Sequence, residues 1–254
     1  MTRPARRSFA LLAVLVLAAF AVAACGGASP HQTSKLFKAP PWTAPEQLSY
    51  TLSRRGEPSA GACELKTEPD FEPGRTRLSH HCGKDEFSDD ATAVVDAKTL
   101  KPITATRTAI DTKKNRKTVW TNSYEDTAVR FEAETNGSVS STSRDLPKPD
   151  ATSPDPGWYE DATLLWLARG LPLQAGFTGS YAHVINAGQP RVITVDVKVG
   201  PPEKVSVPAG DFNAWKVRIV GGDATYTIWV DERPPHRVVK AVIEDVTYAL
   251  SAAK

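Results

Sequence analysis

GWYEDATLLWLARGLPLQAG, residues 157–176, is the stretch of the sequence that decides the fold. It is the one convincing helix in a chain whose other segments alternate in the manner of β-strands. Acidic residues fall in its first turn and Arg169 in its last, which matches the sign of the helix dipole at each end. Gly170 follows as a stop signal, and Pro172 prevents continuation. We therefore predict a helix over residues 158–169.

The centre of this helix carries four consecutive large apolar residues, Leu164, Leu165, Trp166 and Leu167. A surface helix needs one apolar stripe, whereas four such residues in a row cover most of the circumference. Both sides of the helix must therefore be covered. One arrangement is a sheet on one side and loops on the other. The other is a sheet on one side with a hydrophobic ligand between sheet and helix.

The N-terminus has the pattern of an export signal. Three arginines precede an apolar run over residues 9–24, and small residues end that run, so residues 1–24 are predicted to be a signal peptide. The run is shorter than the ~20 residues of a spanning helix. The sequence VAAC, residues 22–25, resembles the lipobox of bacterial lipoproteins. The resemblance implies a diacylglyceryl group on Cys25 and cleavage before it, and an ordinary signal peptide with an incidental cysteine is the alternative.

The basic character of the chain belongs to this signal. The full sequence has 31 basic and 29 acidic side chains, and residues 1–24 contain three arginines and no acid. The mature chain therefore has 28 basic and 29 acidic side chains, a formal charge of −1. Such a balance gives no reason to expect nucleic-acid binding.

The remaining two cysteines, Cys63 and Cys82, each lie in a run that alternates like a strand. Compartments beyond the plasma membrane are usually oxidising. A bridge between neighbouring strands has reasonable geometry, so we predict a Cys63–Cys82 disulfide, with two free buried thiols as the alternative.

The rest of the chain divides into a tether and a β-rich domain. Residues 25–45 are rich in small residues and proline, which predicts a flexible tether. From there on, alternating runs recur at roughly ten-residue spacing with turn residues between them, which predicts antiparallel β structure. Prolines over residues 143–157 predict an irregular crossover, and residues 236–250 predict one long strand. We predict a single domain over residues 46–254, with a boundary at the crossover as the alternative.

No catalytic or cofactor motif is present. The sequence contains no nucleophile elbow, phosphate loop or dinucleotide fingerprint. His80 and His81 are adjacent on a predicted strand, so their side chains point to opposite faces and do not form a ligand pair; a surface pair is the simpler interpretation. We therefore expect neither an enzyme nor a cofactor or metal site.

The tryptophans on regular elements are the remaining candidates for a binding surface. Core packing explains most of them. If the fold encloses a cavity, its expected walls are Trp120, Leu164, Leu165, Trp166, Leu167, Trp215 and Trp229.

Three motifs carry a family resemblance. They are Asp-x-x-(apolar run)-Arg-x-Leu-Pro-Leu, Val-Pro-Ala-Gly-x-Phe-x-Ala, and Trp-Val followed by a Pro-x-Arg turn. They fall on Asp161, Arg169, Leu171 and Pro172, on residues 207–214, and on Trp229, Val230, Pro235 and Arg237.

These motifs resemble those of an uncharacterised family of bacterial envelope proteins, domain of unknown function 3108. The resemblance extends over roughly residues 46–250. It implies a mainly β fold, in which a strongly curved antiparallel sheet, a half-barrel, wraps around one helix. That form is similar to the LolA/LolB and LppX-type carriers, which hold acyl chains.

We therefore expect a lipoprotein of the cell envelope, anchored by its lipid in the outer membrane or on the outer face of the plasma membrane. Its expected function is to bind or carry an apolar, lipid-like ligand. The alternative is a structural or protein-interaction lipoprotein that holds no ligand.

Replacing Cys25 with serine tests the anchor. Without the thiol there is no atom to accept the diacylglyceryl group, so we expect unprocessed precursor and no metabolic labelling with palmitate. The wild-type protein, expressed in parallel, should incorporate the label. Palmitate label that persists on the Cys25→Ser protein would contradict the lipoprotein prediction.

Overall fold

A computed structural model describes residues 36–55, 57–151, 154–222 and 224–254. The predicted signal peptide and Cys25 lie outside the described residues. None of the helices in the described part of the chain has the length and apolarity that a membrane span requires.

The described chain forms strands almost throughout. The strands of the first half are β1 Glu46–Arg54, β2 Glu57–Glu72, β3 Arg75–Lys84, β4 Phe87–Asp96, β5 Pro102–Asp111, β6 Arg116–Tyr124, β7 Ala128–Thr135 and β8 Ser138–Asp145. A short strand β9, Trp158–Glu160, is followed by a 3₁₀ turn, Asp161–Thr163, and by the helix α1, Leu164–Arg169. The last strands are β10 Thr178–Ile185, β11 Arg191–Val207, β12 Gly210–Gly221, β13 Ala224–Asp231, β14 Val238–Ile243 and β15 Val246–Ala253.

These strands belong to one sheet, in the order β8-β7-β6-β5-β4-β3-β2-β1-β15-β14-β13-β12-β11-β10-β9. Neighbours are antiparallel except β9 and β10, which are parallel. A sheet of this many strands curls because each strand is twisted. The inner face of the sheet packs around α1, where Trp166 Nε1 donates a hydrogen bond of 2.7 Å to Thr67 Oγ1 on β2. The predicted fold class, a mainly β chain with a strongly curved antiparallel sheet around one helix, is confirmed.

The helix is shorter than its sequence pattern predicts. It covers Leu164–Arg169 alone, and the prediction of helix over residues 158–163 is wrong. Trp158–Glu160 instead pair with β10 at the end of the sheet. Aromatic residues suit a pleated surface, and pairing with a neighbouring strand outweighs the weak helix preference of a single turn.

Two strand assignments also differ from the sequence patterns. β8 extends to Asp145, so the first residues of the predicted crossover are strand; the Ser-rich sequence of β8 is exposed along its length and has no apolar alternation to indicate a strand. Residues 236–250 form two strands rather than one, because Glu244 adopts a left-handed φ of 55° and turns the chain between β14 and β15. Apolar residues on both sides of this turn hide it in the sequence.

The predicted tether is wrong from residue 36 onward. Leu36, Phe37 and Trp42 are buried in the main core, and Lys38 N donates a hydrogen bond of 2.9 Å to Gly170 O. Gly170 ends the helix with φ −96°, so it is not required for a left-handed cap. A Cβ atom there would lie 2.0 Å from Phe37 Cε2. Glycine at this position therefore permits the N-terminal segment to cross the end of the helix.

The predicted disulfide is present between β2 and β3. Cys63 and Cys82 face each other directly in the register of the two strands, with Cα atoms 4.0 Å apart. The bridge closes a hairpin whose sulfur atoms point to the interior, beside Leu65 and α1. It stabilises the fold by roughly 3 kcal/mol in the chain-entropy description.

A buried ion cluster fixes the C-terminal end of α1. Arg169 is only 3% exposed, and its Nη1 donates to Glu46 Oε2 at 2.6 Å. Its Nε and Nη2 donate to the backbone carbonyls of His236 and Pro235, each at 3.1 Å. Arg237 donates to the other oxygen of Glu46 at 2.8 Å. The helix, the start of β1 and the turn between β13 and β14 are thereby joined.

The two ends of the sheet overlap. Val129 and Phe131 of β7 pack with Val184 of β10 in a second small core, and β9 packs against β5. Glu160 lies fully buried in this overlap, where it accepts hydrogen bonds from Asn122 Nδ2 at 3.0 Å and from the Tyr124 hydroxyl. Its Oε1 has no hydrogen-bond partner among the described residues. The buried position of Glu160, between the two overlapping ends of the sheet, therefore favours the neutral, protonated form of its carboxyl group.

Removal of the Arg169 side-chain charge should be strongly destabilising. We expect Arg169→Met to lower the free energy of unfolding by about 3–5 kcal/mol, because it leaves the buried Oε2 of Glu46 and two carbonyls without the donor that they have in the wild type. The matched control is Arg75→Met, since Arg75 pairs with Glu72 at 2.7 Å in an exposed turn. That change should cost at most about 1 kcal/mol in urea unfolding. Equal losses of unfolding free energy in Arg169→Met and Arg75→Met would contradict the conclusion that a buried ion cluster fixes the end of α1.

Glu160 should make stability depend on pH. Burial raises its pKa from 4.5 to about 8, although the hydrogen bond from Asn122 acts in the opposite direction. Its contribution is therefore complete below pH 4.5 and is lost as the pH rises to about 8. Between these values the wild type should lose up to about 1.4 kcal/mol per pH unit relative to Glu160→Gln. Urea unfolding at several pH values measures this slope.

Glu57→Gln is the control for that series, since Glu57 is exposed and Lys84 lowers its pKa through a hydrogen bond. A carboxyl group with a lowered pKa changes the free energy of unfolding only when the pH falls below its ordinary pKa of 4.5. Between pH 4.5 and about 8, Glu57→Gln should therefore show the same dependence of unfolding free energy on pH as the wild type. A slope that is the same in Glu160→Gln and in the wild type would contradict the raised pKa.

Candidate functional site

An open groove of about 870 Å³ lies inside the curve of the sheet. Phe87 on β4 and Ile185 on β10 both line it, although many strands separate them in the sheet order. Only the curvature of the sheet brings such distant strands to one cavity. Its volume lies in the range of small-molecule sites. The apolar part of the lining includes Leu52, Ala60, Phe87, Ile185, Ile243 and Val246, and charged side chains of both signs line the rest.

A smaller cavity of about 80 Å³, which we call the inner pocket, lies beneath α1. Its apolar walls are Leu164, Leu165 and Trp166 of the helix segment and the Cys63–Cys82 disulfide. Asp89, Arg107, Asp161 and Tyr248 line both the inner pocket and the groove. The two cavities are therefore neighbours that share a polar wall.

This shared wall, with His80 on the side of the inner pocket, forms what we call the polar cluster: His80, Asp89, Arg107 and Asp161. Arg107 on β5 donates from Nε and Nη2 to the two oxygens of Asp89 on β4, at 2.7 and 2.6 Å. Its Nη1 lies 3.5 Å from Asp161 Oδ2. One guanidinium therefore joins two carboxylates from different parts of the fold.

The 3₁₀ turn places Asp161 at the centre of the cluster. His183 Nε2 on β10 shares a hydrogen bond of 3.1 Å with Asp161 Oδ1. Burial alone would raise the pKa of Asp161, but the hydrogen bond and charge of His183 and the charge of Arg107 lower it below its ordinary value. The carboxylates correspondingly raise the pKa of Arg107, against the effect of its own burial. Both groups are therefore held in their charged forms.

His80 completes the cluster as a neutral group. Burial lowers the pKa of its ring below the ordinary 6.5. Its Nε2 is inaccessible to solvent and has no hydrogen-bond partner within the described residues. The nearby hydroxyl of Tyr248 is also neutral, because burial raises its pKa to about 12. The two carboxylates therefore face the guanidinium of Arg107 and the ring of His183, and neither His80 nor Tyr248 adds a charge.

The structure brings together part of the predicted cavity wall. Leu164, Leu165 and Trp166 line the inner pocket, whereas Leu167 is buried in the core away from both cavities. Trp120 and Trp215 lie on the inner face of β6 and β12 but line neither the groove nor the inner pocket.

The assignment of Trp229 to a cavity wall is wrong, since it lines neither the groove nor the inner pocket. Its neighbours Ile228 and Val230 point into the core, so the alternation of β13 directs Trp229 to the outer face. Lys216 and Lys240 lie over its ring at 5.3 and 5.1 Å, and its Nε1 donates to Glu203 Oε1 at 2.6 Å. These long side chains cover the ring and explain why an outward tryptophan is only 9% exposed.

The polar cluster was missed from the sequence, although a signal existed. On β4, Asp89 has the same parity as Ala91, Ala93 and Val95, which point inward. A charged residue on the apolar face of a strand indicates a buried partner. The two histidines do point to opposite faces, as predicted, but His80 is an interior residue and only His81 is exposed. Only the structure shows that the buried partner of Asp89 is Arg107.

The cluster does not have the composition of a metal site. In the described ranges, no group of three His, Cys, Asp or Glu side chains is arranged to hold a metal ion. Arg107 occupies the position between the carboxylates. The arrangement instead offers hydrogen-bond acceptors to a ligand at the boundary of an apolar groove.

Comparison with known proteins adds a family and a set of folds. No curated protein matches the chain. One solved structure with a related fold is a β-barrel-like protein of domain of unknown function DUF1849 from Brucella abortus. It is 12% identical with a TM-score of 0.48, and the match covers 83% of this chain and 97% of the other.

Two further structures cover 86% of this chain and 99% of their own. One, from Bacteroides fragilis, is provisionally described as an exported protein with a YmcC-like fold, at 12% identity and a TM-score of 0.31. The other, from Parabacteroides distasonis, is provisionally described as a lipoprotein, at 9% identity and a TM-score of 0.32. At these identities and scores the likenesses carry no functional information.

The family comparison is more informative. The match extends over residues 83–247, from the end of β3 to the start of β15, which is more than half of the chain. It includes all three motifs described above and three members of the polar cluster, Asp89, Arg107 and Asp161. The chain therefore belongs to the family described as protein of unknown function, DUF3108.

Proposed function

We propose that this protein is an extracytoplasmic lipoprotein, attached to the membrane through Cys25, that binds an apolar, lipid-like ligand in the groove. The observation that carries the proposal is the groove itself: a cavity of about 870 Å³ inside the curved sheet, lined in part by apolar side chains and with a polar cluster at one wall. Small-molecule sites combine these two features, because apolar walls supply affinity and a few polar groups fix orientation.

The proposed location is supported by two independent features. The sequence of residues 1–25 has the pattern of a lipoprotein signal. The Cys63–Cys82 disulfide is the kind of bond that persists in an oxidising compartment. An acyl chain on Cys25 would place the groove near the membrane, where apolar ligands are found.

A structural or protein-interaction lipoprotein is the second candidate. The observation that favours it is the burial of the helix run, since the protein's own residues leave Leu164, Leu165, Trp166 and Leu167 between 1% and 8% exposed. The protein itself therefore covers most of the helix, as in the arrangement without a ligand. The groove distinguishes the candidates, because a purely structural sheet has no need of an open apolar cavity.

Binding of an uncharged hydrocarbon probe tests the proposal. The domain from residue 36 onward, purified with its disulfide intact, should bind diphenylhexatriene with a saturable rise in fluorescence. Ala60→Trp should weaken this binding at least about tenfold, because Ala60 lines the groove and an indole would occupy part of it.

Ala62→Trp is the matched control. Gly61 has a φ of 128° and the register of β1 and β2 is irregular here, so the alternation of faces is broken between Ala60 and Ala62. Ala62 is exposed and precedes the buried Cys63. This variant should bind the probe as the wild type does. Circular dichroism and urea unfolding establish that both variants are folded. Absence of saturable probe binding to the wild type would contradict the proposed function and favour the structural candidate.

A further inference from the structure

The groove opens at the end of the sheet where consecutive strands are joined by short connections, and we call this end the mouth. The exposed residues of the groove lining all lie within two residues of such a connection. They are Arg54, Lys84, Phe87, Arg191, Thr225 and Glu244. The inference that follows rests on the proposed function, in which a lipid-like ligand enters and leaves the groove through this mouth.

Phe87 gives the mouth an apolar point of contact. It begins β4, and its side chain lines the groove although the residue is 50% exposed. Three other large apolar residues of the described chain are also exposed, Phe71, Val139 and Val220, and none of them lines the groove. Single exposed apolar residues are common on protein surfaces. Phe87 differs because it continues the lining of a cavity out to the surface.

A protruding basic turn stands beside Phe87. Residues 112–117, at the connection of β5 to β6, are all exposed. Four of these six residues are basic: Lys113, Lys114, Arg116 and Lys117. Thr112 N donates a hydrogen bond of 2.9 Å to Glu86 O, and Asp111 lies directly opposite Phe87 in the register of β4 and β5. This hydrogen bond and this register hold the basic turn next to the exposed phenyl ring.

The ion pairs of this turn are weak. Lys114 pairs with Asp111 at 3.0 Å, and Lys113 lies 4.0 Å from Glu86. The lysine side chains are 74% and 78% exposed, and exposed pairs of this kind contribute little. Within the described ranges, no acidic side chain forms an ion pair with Arg116 or Lys117. The positive charge of the turn is therefore available to a partner outside the protein.

The charges around the whole mouth balance in number but not in position. When each connection at this end is taken with the two residues on either side, eight basic and eight acidic residues are present. The β3–β4 and β5–β6 connections hold five of the bases and only three of the acids. The β12–β13 and β14–β15 connections hold three acids and no base: Glu244, Asp245 and Asp223, of which Asp223 lies outside the described residues.

The other connections are closer to balance. Arg54, Arg55 and Glu57 belong to the β1–β2 connection, Arg191 to the β10–β11 connection and Glu134 to the β7–β8 connection. The bases therefore concentrate on one side of the mouth and the acids on another. An anionic surface is attracted to the side with the β5–β6 turn and repelled by the side with the β14–β15 turn, so charge sets the direction of approach.

We propose that the mouth docks on an anionic lipid bilayer, with the ring of Phe87 among the acyl chains and the β5–β6 turn against the phosphate groups. Clusters of Lys and Arg at a membrane surface are attracted to anionic lipids, and insertion of apolar area adds to the affinity. A bilayer fits better than an acidic protein, because it supplies phosphates for the basic turn together with acyl chains for the adjoining ring. A lipid then passes between bilayer and groove along Phe87, which belongs to both.

The proposed anchor permits this contact. Leu36, where the described chain begins, lies beside Gly179 near the start of β10, at the end of the sheet opposite the mouth. β1 has nine residues and spans about 30 Å between the two ends. Cys25 precedes Leu36 by eleven residues, which reach at most about 40 Å when extended. The mouth is therefore able to meet the membrane that holds the acyl group.

Cosedimentation with vesicles tests the docking. The protein is residues 26–254 without the acyl group, so that the anchor does not contribute. We expect it to bind vesicles of phosphatidylglycerol and phosphatidylcholine in equal parts at least about tenfold more tightly than vesicles of phosphatidylcholine alone. Raising the salt concentration from about 0.05 M to about 0.5 M should release the protein, because salt screens exposed charges.

A double charge reversal, Lys113→Glu with Lys114→Glu, locates the contact. It should weaken binding to the anionic vesicles at least about tenfold. Neither lysine lines the groove, so diphenylhexatriene binding should stay as in the wild type. The matched control is Lys98→Glu with Lys148→Glu, which changes the net charge equally at two exposed positions near the opposite end of the sheet. That distance exceeds the screening length of about 10 Å in 0.1 M salt, so the control should bind the vesicles like the wild type.

Phe87→Ser and Phe71→Ser test the apolar contact. Both residues are exposed phenylalanines, but Phe71 lies beside the β2–β3 turn, at the end of the sheet opposite the mouth. Phe87→Ser should weaken binding to the anionic vesicles several-fold, because the inserted ring is lost, and Phe71→Ser should leave it unchanged. Circular dichroism and urea unfolding establish that all the variants are folded.

The outcomes separate this inference from the proposed function. Equal binding to the two kinds of vesicle, or equal losses in the two double variants, would contradict docking through the mouth, while probe binding in the groove would stand. Equal behaviour of Phe87→Ser and Phe71→Ser would contradict insertion of the ring. If the wild type does not bind diphenylhexatriene, the proposed function fails, and passage of a ligand through the mouth fails with it.

Discussion

The helical segment inside the sheet begins and ends with a charge, and the structure depends on how those two charges are satisfied. Asp161 precedes α1 and Arg169 ends it, and both side chains point into the protein instead of into water. A buried charge is tolerated only when a partner and further hydrogen bonds accompany it. The partners come from strands far away in the sequence: Arg107 and His183 for Asp161, and Glu46 for Arg169. The segment therefore fixes where the two halves of the sheet meet.

This arrangement explains why the interior is both apolar and partly polar. The run from Leu164 to Leu167 supplies the apolar core against which the sheet curves. Asp161 pairs with Arg107, and Arg107 in turn binds Asp89. All three side chains lie at the boundary between that core and the open groove. Packed apolar residues in place of the ion cluster would stabilise the fold at least as well. The stability of the fold alone therefore does not require this cluster, which agrees with the ligand-binding role proposed for the groove.

The overlap of the sheet's ends gives the fold a second constraint. An open sheet of this length exposes an unpaired strand at each end. Here β9 is covered by β5, and the outer face of β10 is covered by β7. Glu160 in this layer is held neutral by burial, so closure of the overlap is most favourable at the pH values where the carboxyl keeps its proton. The groove lies on the other side of the same strands, so its shape depends on this closure.

The sequence by itself determined the β-rich fold class, the disulfide pair and the position of the apolar helix run, because alternation, cysteine count and helix signals are local. Only the tertiary structure decided that Trp158–Glu160 extend as a strand, that Phe37 crosses the helix end at Gly170, and that Trp229 points outward beneath two lysines. Each of these depends on a partner distant in the chain, whose contribution outweighs the local preference. The same holds for the polar cluster, since no spacing in the sequence reveals that Asp89, Arg107 and Asp161 meet at one wall.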